Sequence, residues 1–225
     1  MSLLSNWPAA IAATGALGTA AFGLVDALKA LPGGGLSRAG FKFIREVIAR
    51  LTPRAHYPEG SALSRASILH TLQSQWINGT AEGDQVNIAK SLIKLRLIPE
   101  TAPTLATATG VDSGILTQVA ESIATGQALT TQQSDVYGRF DLLLTTLLDQ
   151  AYQRGDQRYR NTAKFAAIPV SIGIALAAYY SVKPATISPW EAVIVGLVAT
   201  PLAPIAKDLA TALTNGVQAI QSWKS

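Results

Sequence analysis

Three stretches of the chain carry no charge. Residues 8–25 and 165–182 are eighteen residues each, apolar or small throughout, and residues 192–206 add fifteen more between Glu191 and Lys207. A bilayer core about 30 Å thick takes roughly 20 helical residues at 1.5 Å each. The first two runs therefore predict membrane spans. The third predicts a span if Glu191 and Lys207 reach outward to the headgroups. The expected fold is all-α: an integral membrane protein with three transmembrane helices and an α-helical cytoplasmic domain between spans one and two. Five segments follow. They are a first transmembrane helix (1–31), a Gly hinge with a basic amphipathic helix (32–54), a cytoplasmic helical domain (55–164), a transmembrane hairpin (165–206) and a C-terminal amphipathic helix (207–225).

The polar middle shows helical spacing and no strand alternation. After the Pro32-Gly33-Gly34-Gly35 break, Ser37 is placed to cap a helix, and Ile44, Val47, Ile48 and Leu51 recur at helical intervals. Residues 61–77 and 84–97 predict two helices joined at Asn78-Gly79-Thr80. Residues 101–110 read as a small-residue linker or short helix, and residues 112–125 as a helix stopped by Gly126. From Gln132 a long helix through Phe140, Leu144 and Leu148 leads straight into the second span, which predicts rigid coupling of domain to membrane. Past the third span, Leu209, Leu213, Val217, Ile220 and Trp223 form another stripe.

Charge turns spans into an orientation. Charged residues are 14% of the chain, against about 25% in an ordinary soluble domain. The net charge is +4. Lys29, Arg38, Lys42, Arg45, Arg50 and Arg54 follow the first span, and Arg154, Arg158, Arg160 and Lys164 precede the second. Residues 1–7 have no basic residue, and the loop between spans two and three has only Lys183. Positive residues face inward, so the expected N-terminus is outside and the C-terminus cytoplasmic, in a bacterial inner or other energised membrane. The missing basic n-region also argues against a cleaved signal peptide. Trp7, Tyr179, Tyr180 and Trp190 then fall at the outer interface.

Small residues recur every four positions in each span: Gly15, Thr19 and Gly23; Pro169, Gly173 and Ala177; Gly196 and Thr200. Lipid tails are as apolar as Leu, so membrane helices associate through such faces. These are the expected helix-packing residues. Pro201 and Pro204 should kink the third span. Counted from Trp7 and Trp190, Asp26, Lys207 and Asp208 reach one depth. They form an expected set of membrane-interface charges with Lys29, paired as Asp26 with Lys207 and Asp208 with Lys29. Arg38, Lys42 and Arg45 mark a basic face suited to lipid headgroups. Gly23-Leu24-Val25-Asp26, with Lys29, Gly33-Gly34-Gly35, Ser37 and Gly40-Phe41, resembles an N-terminal pattern of bacterial membrane proteins of unknown function. Asp156-Gln157-Arg158-Tyr159-Arg160-Asn161 resembles a second pattern from similar proteins. The resemblance implies a bacterial inner-membrane protein and no particular activity.

Catalytic signatures do not stand out. With no Cys there is no disulfide scaffold, Cys-ligated zinc site or thiol nucleophile. His56 and His70 lack HExxH spacing, and no phosphate-binding glycine loop stands between a strand and a helix. No catalytic, cofactor-binding or metal residue is expected, and no cofactor. The basic residues lie beside spans without interleaved aromatics, which argues against nucleic acid. The expected partners are membrane lipids, further copies of the chain and a larger membrane-associated complex. The expected function is a non-enzymatic membrane anchor or scaffold. The alternative is a homo-oligomeric channel or pore gated near Asp26, Lys207 and Asp208.

Overall fold

The computed structural model describes residues 7–28, 35–53, 56–182, 188–206, 208–209, 212 and 214–215. Among these residues the regular secondary structure is all helical, with no strand. The Gly hinge at 32–34, Lys29, the loop at 183–187, Lys207 and residues 216–225 lie outside the described residues. The chain divides into two compact units. A terminal unit comprises Met1–Leu36 and Arg160–Ser225, and a central unit comprises Ser37–Tyr159.

The central unit is built from short helices, two of them with side-chain N-caps. A 3-10 turn at Gly35–Ser37 leads into α2 (Arg38–Leu51). Ser37 itself is in a helical conformation and makes no side-chain cap bond there. Instead its carbonyl accepts from Trp76 Nε1 at 3.2 Å. Helix α3 (Arg65–Asn78) is capped by Ser64 and ends at Gly79, whose left-handed φ of 69° lets its N–H close back on Gln75 and Trp76. Helices α4 (Glu82–Lys94) and α5 (Ala102–Thr109) follow. Helix α6 (Ser113–Thr125) starts at Asp112, which accepts from the Ile115 N–H at 2.8 Å, and stops at left-handed Gly126. The first part of α7 (Thr131–Val182) completes the unit.

Large side chains fill its core. Phe41, Ile44 and Ile48 of α2 meet Ile68 and Leu72 of α3, Leu116 and Val119 of α6, and Phe140, Leu144 and Leu148 of α7, all fully buried. Each such side chain contributes about 1.5–3 kcal/mol on burial. The apolar stripe of α2 is thus spent on this core and does not lie in lipid. Arg38, Lys42 and Arg45 stand exposed on its opposite face.

The terminal unit is built differently. Helix α1 (Trp7–Ala27) is 21 residues long, about 32 Å at 1.5 Å per residue. Helix α7 runs 52 residues without interruption, and its second part, from residue 160 to 182, belongs here. Two helices, α1 and α7, contain windows long and apolar enough to cross a membrane. The third apolar run forms α8 (Pro189–Leu202), opened by a Ser188–Glu191 capping box. Its 14 residues rise about 21 Å, short of the roughly 30 Å bilayer core. The straight part of the apolar run thus ends at the prolines, where the sequence predicts a kink. Pro201 and Pro204 lack the N–H groups that would continue the ladder, and residues 203–205 form turns before helix resumes.

Candidate functional site

Among the described residues of the terminal unit, no buried side chain is large. The buried residues are Gly15, Gly18, Ala21 and Val25 on α1, Ala163, Ala167, Ser171 and Ala175 on α7, Ala192, Gly196, Ala199 and Thr200 on α8, and Ala206 beyond it. The large apolar side chains stand outside. Phe165 is 74% exposed, Ile194 57% and Leu197 51%.

Glycine sets the closest approaches. A Cβ on Gly18 would stand 2.1 Å from the Ala199 carbonyl oxygen, and one on Gly15 would stand 2.0 Å from Ala206 Cβ. A Cβ on Gly196 would stand 2.5 Å from Ile172 Cα. Helix α8 is thereby held to α1 on one side and to α7 on the other. At the second contact Ser171 Oγ donates to the Gly196 carbonyl at 2.6 Å and lies 3.1 Å from Thr200 Oγ1. The hydroxyls serve a buried backbone acceptor between two helices, where an unpaired polar group is costly.

The structure divides the expected packing residues. Gly15, Gly196 and Thr200 lie at these contacts. Gly23 and Gly173 have open space where a side chain would go, and Thr19 and Ala177 are exposed. The Thr19 hydroxyl bonds only back to Gly15 O of its own helix, at 2.9 Å. On α7 the packed face is the Ala163–Ala167–Ser171–Ala175 stripe. It lies two residues, about 200° of helix rotation, from the Pro169–Gly173–Ala177 stripe. Of the interface charges, Asp26 and Asp208 are exposed. Lys29 and Lys207 lie outside the described residues, and with them both expected pairings. A groove of about 370 Å³ between Leu17, Ala175, Tyr179, Val182, Ala192 and Val195 opens on the flank of the unit.

The polar chemistry of the central unit is structural. Arg96, buried, donates to the carbonyls of Leu63 and Pro53 at 2.5 and 2.7 Å and stacks 4.3 Å from the Tyr57 ring. Arg65 donates to the carbonyls of Thr52 and Ala49 at 2.7 and 2.8 Å. Together they fasten the loop after α2 and place positive charge at the α2 C-terminus, where the helix dipole favours it. Burial lowers the Arg96 pKa, opposed by Tyr57 and assisted by Arg65. Periodicity does not reveal either role, because the acceptors are main-chain atoms far away in sequence.

A second cluster joins α4 to α7. Lys94 and Lys90 reach Asp141 at 3.0 and 3.4 Å. Burial opposes ionisation of Asp141, but the Lys94 hydrogen bond and the two ammonium charges hold its pKa below the ordinary value. Burial likewise opposes the charge on Lys94, and its bonds to Tyr137 and Asp141 prevail and raise it. Burial also pushes the Tyr152 phenol well up.

No protein-family model matches the chain, and neither a curated protein nor a solved structure matches it.

One contact in the central unit brings the backbones of α2 and α7 together. A Cβ on Gly40 would stand 2.4 Å from the Gly155 carbonyl oxygen, so α2 crosses α7 backbone to backbone. Trp76 wedges beside the crossing, with its ring centroid 6.2 Å from that of Tyr152. Arg38, Lys42 and Arg45 are exposed on the side of α2 away from Gly40, and Arg154 and Arg158 are exposed beside Gly155 on α7.

Proposed function

We propose that the chain is a non-enzymatic integral membrane anchor that holds a helical domain at the cytoplasmic face of a bacterial inner membrane and recruits a larger assembly there as an oligomer. The reading rests on one observation: the terminal unit buries small residues and exposes large apolar ones. Water penalises exposed apolar surface at about 25 cal/mol per Å². In lipid that penalty disappears, and close backbone contact between small residues is what holds helices together. The same observation supports α8 as a third crossing. Although short, it packs between α1 and the apolar part of α7 and turns Ile194, Val195 and Leu197 outward. With the basic residues facing inward, α1 enters from outside and the turn between α7 and α8 lies outside.

Three measurements test this. Alkaline carbonate should leave the protein in the membrane pellet, and release into the supernatant would overturn the anchor. In Ala185→Cys, a membrane-impermeant maleimide should label intact cells, since the chain has no native Cys. In Gln127→Cys it should label only after permeabilisation, and the reverse pattern would overturn the orientation. Ion flux through proteoliposomes, altered by Asp26→Ala, would replace the scaffold by a channel.

A further inference from the structure

We propose that Asn78 is a site of spontaneous deamidation that the end of α3 holds latched, so that the side-chain amide is lost only through openings of that turn. The site lies within the central unit and needs no membrane. The chemistry is intramolecular. The Gly79 backbone nitrogen attacks Asn78 Cγ and forms a C–N bond. The Cγ–Nδ2 bond breaks, and the NH2 group leaves as ammonia with the proton lost from Gly79. Water then opens the succinimide at either carbonyl, which leaves aspartate or isoaspartate at position 78. The fold itself sets up the reactive pair. At the end of α3 the Gly79 N–H bonds to the Trp76 carbonyl at 3.3 Å and the Thr80 N–H to the Gln75 carbonyl at 3.1 Å. That ending needs the left-handed φ of 69°, which glycine adopts without steric cost. The missing Cβ also leaves the attacking nitrogen unhindered. Gly110 and Gly126 end α5 and α6 in the same conformation but follow threonine, whereas Gly79 follows asparagine. Asn78 and Gly79 are both exposed to water.

The closed turn opposes the reaction. Asn78 is the last residue of α3, and the five-membered ring closes only at a ψ well away from the helical value of about −42°. The Gly79 N–H, which must give up its proton, is engaged by the Trp76 carbonyl. Buried Gln85 adds a third tie by donating Nε2 to the Thr80 carbonyl at 2.6 Å. The rate in the folded protein therefore follows the population of the opened turn. The product then works against the fold. A carboxylate at the C-terminus of α3 meets the negative end of the helix dipole, and isoaspartate adds a methylene to the main chain inside the turn. Two residues upstream, Trp76 bonds to the Ser37 carbonyl and lies beside the Gly40–Gly155 crossing. Deamidation thus loosens the meeting of α2 and α7, irreversibly and with time.

The test incubates the full chain in mild detergent at neutral and mildly alkaline pH, with the same chain in guanidinium chloride as the open reference. Peptide mapping by mass spectrometry reads conversion at Asn78 against Asn87, which is also exposed but sits inside α4 before β-branched Ile88. Asn78 should convert faster in alkali, and more slowly folded than unfolded, while Asn87 stays intact. Gln85→Met removes the tie to Thr80 without touching the reacting pair. It should speed conversion in the folded protein by roughly two- to tenfold, the span of one lost hydrogen bond, and leave the unfolded rate unchanged. Trp76→Phe, which frees the turn from Ser37, should act in the same direction. Gly79→Ala should suppress conversion in the unfolded chain, where only the added Cβ matters. An intact Asn78 in guanidinium chloride overturns the site. A folded rate equal to the unfolded one, or unmoved by both Gln85→Met and Trp76→Phe, overturns the latch. Hydrogen exchange of the converted protein should show protection lost at the end of α3 and the start of α2, and unchanged protection there overturns the link to the crossing.

Discussion

Around Phe140 the helices of the central unit stand apart by the width of a leucine or an aromatic ring, and those side chains fill the gap. Around Gly18 and Gly196 the helices of the terminal unit close until one added methyl group would overlap backbone. Both arrangements exclude solvent, but for different reasons. Where water surrounds the fold, burying a Phe or Ile is the driving force, and the helices separate to admit it. On the membrane reading proposed above, lipid surrounds the terminal unit, and there a buried Phe gains little over an exposed one. Dispersion and backbone contact decide, and small residues maximise both. The chain thus carries two interiors with opposite size rules, joined by one continuous helix.

The comparison breaks most sharply at Phe140. Phe140→Ala should destabilise the central unit by about 3–5 kcal/mol, as large-to-small core changes do. Hydrogen exchange read peptide by peptide should show the loss across α2, α3 and α6 while α1 and α8 keep their protection. Gly18→Leu makes the opposite error in the other unit. It forces side-chain volume against the Ala199 carbonyl, for about 1–3 kcal/mol or more. Exchange should rise in α1 and α8 and nowhere in the central unit. If Gly18→Leu is silent, the terminal unit does not pack through small residues.

The sequence identifies the helices better than it identifies their faces. Gly79 and Gly126 stop α3 and α6 where periodicity places the stops, because a left-handed C-cap is a local property of one residue. The stripe of α2 is ambiguous, since Ile44, Ile48 and Leu51 suit a lipid surface and a protein core equally. What decides is distant in sequence: Ile68, Leu116 and Phe140 are there to cover them. Helix α8 ends at Leu202, beside the prolines that the sequence marks as a kink, because Pro201 and Pro204 cannot donate to the ladder. Arg65 and Arg96 are invisible as anchors for the same reason of distance, since their acceptors are carbonyls of other segments.

Charge supplies a control confined to the central unit. Asp141 has its folded-state pKa lowered by Lys94 and Lys90. The stability it contributes is present above the unfolded carboxylate range and is lost as pH falls through the folded value. Asp141→Asn should therefore cost up to about 1 kcal/mol at neutral pH. The gap between variant and wild type should close below about pH 4. Lys94 is raised, so its share persists at low pH and is lost as pH rises through its folded value. A gap that stays constant on acidification would remove the ion pair as the tie between α4 and α7. In the terminal unit Ser171→Ala removes the bond to the Gly196 carbonyl, worth about 0.6 kcal/mol on the scale of membrane hydrogen bonds. Thermal denaturation in mild detergent should show a small decrease that Phe140→Ala and Asp141→Asn do not modify.

The smallest effect tests which face of α7 is the packed one. Gly173 and Gly196 look equivalent in sequence, each spaced by four from another small residue. In the fold, a Cβ at Gly173 meets nothing within 4 Å, whereas one at Gly196 meets Ile172 backbone at 2.5 Å. Glycine inside a helix is destabilising by roughly 0.5–1 kcal/mol relative to alanine through backbone entropy. Gly173→Ala should therefore stabilise the terminal unit by about 0.5 kcal/mol, because it gains helix propensity and displaces no neighbour. Gly196→Ala gains the same propensity but must push α8 off α7, so its sign should be reversed. If the pair behaves the other way round, the close contact runs along the Pro169–Gly173–Ala177 stripe, and the bond between Ser171 and the Gly196 carbonyl cannot be what holds the two helices.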